Sequence, residues 1–191
     1  MKVAAIVLAA GKSSRFEGGN KLLANFGGKP MLAHVLNVAR GVGEVVVITG
    51  NHAEEVGAIA AAQGAQIIHN PHYAEGISGS IRAGIMALSD DVDAAFIMLG
   101  DMPLVKAETL AMLKVKAEIS LQKLAFVPIF GEEWGNPVLV RRALFGKLMT
   151  LSSDQGARKL LLSMPEHVAE VPVEDAGVLA DFDTREAMPK L

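Results

Sequence analysis

The stretch from Val3 to Lys21, VAAIVLAAGKSSRFEGGNK, constrains this chain more than any other. Residues 3–8 form a short apolar, partly β-branched run, the composition of a strand buried on both faces. The run stops at Ala9-Ala10-Gly11 and gives way to Lys12, Ser13, Ser14 and Arg15, two further glycines and Lys21. Small residues let a ligand approach the backbone closely, and exposed N–H groups beside fixed cations suit a polyphosphate. The spacing is neither G-x-x-x-x-G-K-[ST] nor G-x-G-x-x-G. The same residues would also serve in an ordinary glycine-rich βα turn with solvated charges.

Beyond this loop the chain alternates strand, loop and helix. Apolar residues recur at helical spacing through Met31, Leu32, Val35, Leu36 and Ala39, with Pro30 suited to the first helical position. Buried strands are predicted over 44–49, 65–69, 93–99, 124–129 and 168–173, and helices over 52–63, 78–88, 108–120, 144–149 and 153–163. Ser78 and either Ser153 or Asp154 stand where N-caps are expected. Residues 131–134 read as an exposed tip ahead of a strand at 138–140. This alternation predicts an α/β fold, a mostly parallel sheet covered on both faces. With 191 residues and no visible linker or repeat, one domain with one core is expected.

Apolar residues make up 51% and charged residues 20%, which argues against disorder. A net charge of −3 supplies no global field for nucleic acid or an anionic membrane. The absence of cysteine excludes thiolate catalysis, disulfides and cysteine-based metal sites, and fits the cytoplasm. Met1-Lys2 followed by VAAIVLAA has the outline of a signal peptide, but the run is brief and leads straight into the loop. No other segment approaches the ~20 apolar residues of a membrane span. A soluble, cytoplasmic protein is expected.

Four further motifs stand out. Gly100-Asp101-Met102-Pro103 follows the strand at 93–99, and ligands of open α/β sheets gather at the carboxyl ends of strands. A carboxylate there is placed to hold a hard cation such as Mg²⁺, which needs only one or two protein carboxylates beside phosphate oxygens. Helix capping is the alternative, although Asp101 lies several residues ahead of the next helix. Gly135-Asn136-Pro137-Val138 leads into a strand, and Asn136 could make an Asx turn ahead of the proline. Asp154-Gln155-Gly156-Ala157-Arg158 opens a helix, and a cation at that end opposes the helix dipole, which favours Arg158 as an anion contact over a solvated surface arginine, the alternative. Near the C-terminus stands Asp181-Phe182-Asp183-Thr184. The histidines form no H-x-x-x-H or H-E-x-x-H set.

L-A-A-G-x-S-x-R-x-x-G-x-x-K from Leu8 to Lys21, with G-D-M-P, G-N-P-V, D-x-G-A-R and D-x-D-T in that order, resembles the MobA-like nucleotidyltransferases, most closely the molybdenum cofactor cytidylyltransferases. The resemblance implies a three-layer α/β/α, Rossmann-like nucleotidyltransferase fold, with residues 1–103 binding nucleotide and 104–191 the acceptor. It implies that Leu8, Ala9, Ala10, Gly11, Lys12, Ser13 and Ser14 wrap the nucleotide, with Arg15 and Lys21 neutralising the triphosphate. Gly76, Ser80 and Gly100 complete the nucleotide site, Gly76 and Ser80 beside base and ribose. Asn136, Pro137, Gly156 and Arg158 would face the acceptor, a pterin. Mg²⁺ would be held by Asp101 and by Asp181, favoured over Asp183 because an Asp before Thr also caps a helix. Thr184-Arg185-Glu186-Ala187 departs from the family's usual continuation with proline and an acidic pair.

No Ser-His-Asp set, cysteine or histidine base is evident, which suits nucleotidyl transfer, where positioning and electrostatics carry catalysis. A phosphate monoester acceptor, with a second pKa near ~6, is largely dianionic at neutral pH and needs no general base. The expected reaction moves CMP from CTP to the phosphate of molybdenum-bearing molybdopterin. Ala10 in L-A-A-G favours CTP, since guanylyltransferases more often carry L-A-G-G. A molybdenum hydroxylase would receive the product. The rivals are another nucleotide or a phosphorylated acceptor such as a sugar phosphate, and a non-catalytic nucleotide-binding chaperone.

Overall fold

The computed structural model describes residues 1–13, 16, 17 and 19–184. The strands are β1 (Val3–Ala9), β2 (Asn25–Phe26), β3 (Lys29–Pro30), β4 (Glu44–Thr49), β5 (Gln66–His69), β6 (Ala94–Leu99), β7 (Ala125–Phe130), β8 (Glu133–Trp134), β9 (Val138–Arg141) and β10 (Val168–Pro172). The helices are α1 (Met31–Ala39), α2 (Ala53–Ala62), α3 (Ile77–Ala87), α4 (Ala107–Ile119), α5 (Phe145–Leu148) and α6 (Ala157–Leu162).

Every residue of β1 is buried, as its unbroken apolar run requires. It lies inside a mostly parallel sheet of order β10-β7-β9-β6-β1-β4-β5, with β8 paired to β7, and β2–β3 forms a separate antiparallel pair. β1 pairs in parallel with both β4 and β6, whereas β9 runs antiparallel between β6 and β7. Because strand side chains alternate, β1 divides its residues between two cores. Ala5, Val7 and Ala9 meet Leu32 and Leu36 of α1, Val56 of α2 and Leu113 of α4. Ala4, Ile6 and Leu8 face Ile81 of α3, Leu148 of α5 and Leu161 of α6. The result is the α/β fold expected, with helices on both faces of the sheet.

Three local expectations differ. Pro30 ends β3 and occupies the N-cap position of α1 instead of its first turn. Ser78 is not a cap: Gly76 holds that position, and Ser78 sits in the first turn of α3, where its N–H donates to the Ser153 carbonyl at 3.2 Å. The cap of α3 is thus a remote backbone group that local sequence cannot announce. Neither Ser153 nor Asp154 caps α6, which begins after Gly156. The tip at 131–134 is exposed over 131–133 as expected, and it is the end of a tight hairpin in which Ile129 and Phe130 pair with Trp134 and Glu133 around Gly131 at φ +64°. Among the described residues no helix is long and apolar enough to cross a membrane.

Candidate active site

From β1 the chain winds through β4 and β5 on one side, then returns to place β6 on the other side of β1. The loops leaving β1 and β6 therefore diverge, and such a switch point opens a crevice at the strands' carboxyl ends. A cleft of about 460 Å³ lies there, bordered by Leu8 and Ala10 beyond β1 and by Leu99 and Asp101 beyond β6. Gly100 keeps the two strand ends together: its N–H donates to the Leu8 carbonyl at 3.0 Å, and a Cβ would stand 3.0 Å from that oxygen.

Gly11, Lys12 and Ser13 form one wall, as the loop composition predicts. Ser14 and Arg15 lie outside the described residues. The loop is knitted by its own polar side chains. Buried Asn20 accepts from the Leu22 N–H at 2.9 Å and from the Ser13 hydroxyl at 3.2 Å, while the Ser13 oxygen takes the Lys21 N–H at 3.2 Å. Ser13, at φ +50°, bends the chain so that these bonds close. Tyr73, which no motif marked, enters the cleft from the turn after β5. It lies against Gly50, where a Cβ would stand 2.5 Å from the Tyr73 Cβ and 2.8 Å from that of Ala10. Three loops meet there because residue 50 has no side chain.

The charged pole is Lys21. Its ammonium group is paired with Asp101 and with Asp183, the latter at 2.8 Å, and only 13% of the side chain is exposed. Burial alone would push the Lys21 pKa down, but the two carboxylates outweigh it and hold the group above its ordinary value. The second carboxylate that meets Lys21 is therefore Asp183, 33% exposed, and not Asp181, which is exposed and does not border the cleft. Residues 181 and 183 were distinguished only by a capping rule, and the helix it concerned would start beyond the described residues. Two carboxylates that converge on one cationic atom are hard oxygen donors suited to a divalent ion. Among the described residues no set of three or more His, Cys, Asp or Glu side chains converges, so a metal at Asp101 and Asp183 would keep positions for water and phosphate oxygens.

The opposite wall holds Gly76, Ile77 and Ser80. Ser80 is buried, and its hydroxyl accepts from the Asn70 amide at 3.1 Å. Gly76, at φ +119°, lies so close to the Ser153 backbone that a Cβ would overlap it, and this contact brings Asp154 to the cleft rim. The residues expected to face an acceptor do not border the cleft. The Asn136 N–H donates to the Val178 carbonyl at 2.8 Å, and Pro137 is buried. Gly156 is half-buried behind Ile77, and exposed Arg158 donates to the Trp134 carbonyl at 2.9 Å.

Residues 5–169 match the MobA-like NTP transferase domain. The chain is 29% identical over 181 residues to the molybdenum cofactor cytidylyltransferase of Escherichia coli K12, covering 94% of this chain and 90% of that one. It is 36% identical over 111 residues to the bifunctional protein GlmU of Rhizorhabdus wittichii, but spans only 24% of that relative's length. The crystal structure of Rv0371c from Mycobacterium tuberculosis H37Rv superposes with a TM-score of 0.84 at 28% identity, covering 98% of this chain and 95% of that one. A structure of Rv0371c in complex with manganese superposes at 0.74, with 26% identity over 91% and 89% of the two chains. With its glycine-rich wall, its carboxylates at the switch point and a match through most of its length, this chain belongs to the MobA-like NTP transferase domain family.

Proposed function

We propose that this protein transfers CMP from CTP to the phosphate of molybdopterin bearing molybdenum, with release of pyrophosphate. The observation that carries the proposal is the cleft itself, where a glycine-rich loop lies opposite one lysine and two converging carboxylates. The likeness to a cytidylyltransferase of molybdenum cofactor, extending over nearly the whole of both chains, supports the choice of acceptor. An oxygen of the acceptor phosphate attacks the α-phosphorus of CTP. The new P–O bond forms as the bond to the β-phosphate breaks, and pyrophosphate leaves with the electron pair.

The roles proposed for the residues rest on their charge and on the family likeness. The loop at 10–13 offers backbone N–H groups to the triphosphate. Arg15 balances the β- and γ-phosphates, and Lys21 the charge that develops at the α-phosphate. Asp101 and Asp183 would hold Mg²⁺, which when bound would supply positive charge to offset that of the phosphates. That a structural relative is known in complex with manganese supports the use of a divalent ion. No general base is needed, because the acceptor phosphate is already ionised. Ala10, in contact with the cleft, favours cytosine, and Asn136, Pro137, Gly156 and Arg158 serve the acceptor half of the site from beyond the cleft's border.

The test is pyrophosphate release by purified protein with Mg²⁺ and molybdenum-loaded molybdopterin, comparing CTP, GTP, ATP and UTP. Release with CTP alone is expected. Release with GTP would keep the mechanism and overturn the assignment of the base. Silence with all four, from protein that binds a nucleotide, would overturn the acceptor.

A further inference from the structure

A polyphosphate loop works only if its backbone N–H groups face the ligand and its carbonyls do not. In the loop after β1 the carbonyls are held by a residue from another element. Asn51, in the turn after β4, donates its side-chain amide to the Lys12 carbonyl at 3.1 Å, and its own N–H makes a long bond of 3.4 Å to the Ala10 carbonyl. The Asn51 carbonyl in turn is met by the Asn20 amide at 3.5 Å. Asn51 thus stands behind the loop and takes the carbonyls of residues 10 and 12, two apart.

The consequence follows from peptide geometry. Across a trans peptide the C=O and the following N–H point in opposite directions. Asn136–Pro137 is the one cis bond among the described residues, so the bonds after Ala10 and Lys12 are trans. Turning the Ala10 and Lys12 carbonyls toward Asn51 therefore turns the Gly11 and Ser13 N–H groups away from it. Gly11 and Ser13 border the cleft, and among the described residues no acceptor takes either N–H. Two donors two residues apart, neither with an acceptor among the described residues and both on the cleft wall, form an anion cradle.

We propose that Asn51 is a positioning residue for the triphosphate, setting the direction of the Gly11 and Ser13 amides without touching the nucleotide. This inference rests on the reading of the cleft as a nucleoside triphosphate site. It assigns Asn51 a share of the affinity that comes from phosphates and none of that from the base. Asn51→Ala removes the side-chain amide and frees the Lys12 carbonyl to rotate, leaving only the long backbone bond to the Ala10 carbonyl. Asn51→Asp keeps the shape of the side chain but replaces the amide donor with a carboxylate, which repels the Lys12 carbonyl.

The test is calorimetric titration of wild type, Asn51→Ala and Asn51→Asp with CTP and with CMP in the presence of Mg²⁺, together with their thermal midpoints. Charge-assisted hydrogen bonds of this kind correspond to about ten- to hundredfold in affinity. CTP affinity is expected to fall by about tenfold in Asn51→Ala and further in Asn51→Asp, while CMP affinity stays within about twofold. Equal losses for CTP and CMP, or an unchanged CTP-to-CMP ratio, would overturn the proposal. On wild-type protein, inorganic tripolyphosphate should shift the Gly11 and Ser13 amide resonances, a readout that does not depend on either variant folding. Triphosphate binding that leaves both resonances in place would also overturn it. Wild-type protein that binds neither CTP nor tripolyphosphate would instead overturn the nucleotide reading of the cleft.

Discussion

Lys21 shows how much one side chain organises here. It ties the loop after β1 to Asp101, at the end of β6, and to Asp183, 162 residues further along. Its pKa is raised because two carboxylates outweigh its burial, so the sign of its contribution to stability is fixed. A lysine raised in the folded state stabilises fully below its unfolded value of about 10.4 and loses that contribution as pH climbs through the folded value. Wild-type protein should therefore lose unfolding free energy in urea above about pH 10. Lys21→Met should lack this loss and be about 1–3 kcal/mol less stable at neutral pH, with two carboxylates left facing each other. A parallel decline in both proteins at high pH would place the source elsewhere. The carboxylates make a second prediction. If Asp101 and Asp183 hold the metal, Asp101→Asn and Asp183→Asn should each lower kcat by at least about a hundredfold. Asp181→Asn, on an exposed side chain outside the cleft, should stay within about twofold of wild type. A large loss in Asp181→Asn with Asp183→Asn active would restore the reading made from sequence.

Among the elements, the N-terminus of α4 and the 3₁₀ turn Ala176–Leu179 depend on the same buried carboxylate. Asp175 is 3% exposed. Its Oδ2 accepts from the Lys106 N–H at 2.9 Å and from the Thr109 hydroxyl at 2.6 Å, and its Oδ1 accepts from the Gly177 N–H at 3.0 Å. Asp175 therefore caps a helix from outside it, and it anchors the segment that carries Asp183 to the cleft. Three donors lose their acceptor in Asp175→Ala, so a loss of about 2–4 kcal/mol is expected, read as a lower urea midpoint with an unchanged slope. CTP affinity should fall as well, because Asp183 loses its support. Normal stability in that variant would mean the donors find other partners. Nothing in V-E-D-A-G announced this role, since N-cap patterns place the capping residue beside the helix it caps. Ser78 repeats the lesson: the residue that satisfies the start of α3 is Ser153.

At the scale of the molecule, the site exists because the strand order reverses beside β1. Each βα unit buries its own apolar face, so its place on one side of the sheet or the other depends on the path of the chain. Here α1 and α2 cover one face and α3 the other, and the crossover from β5 back to β6 opens the cleft between β1 and β6. A net charge of −3 is compatible with binding a polyanion because the lysines bordering the cleft, Lys12 and Lys21, act at close range. The antiparallel insertion of β9 between β6 and β7 lets residues from the second half of the chain join the same sheet.

By itself the sequence determined the longer strands, though not the two-residue β2, β3 and β8, and most of the helices, the glycine-rich wall at Gly11, and the carboxylate at Asp101. These are recorded locally, as runs of apolar residues, helical periodicity and small residues at a strand's end. Tertiary structure alone decided that Asp183 and not Asp181 meets Lys21, that Ser153 and Asp175 complete helices they do not belong to, and that Tyr73 and Asn51 stand beside the loop. The reason is physical. Burial is written in the alternation of neighbouring side chains, whereas the partner of a charge or of an unpaired N–H is whichever group the folded chain brings within about 3 Å, however distant in sequence.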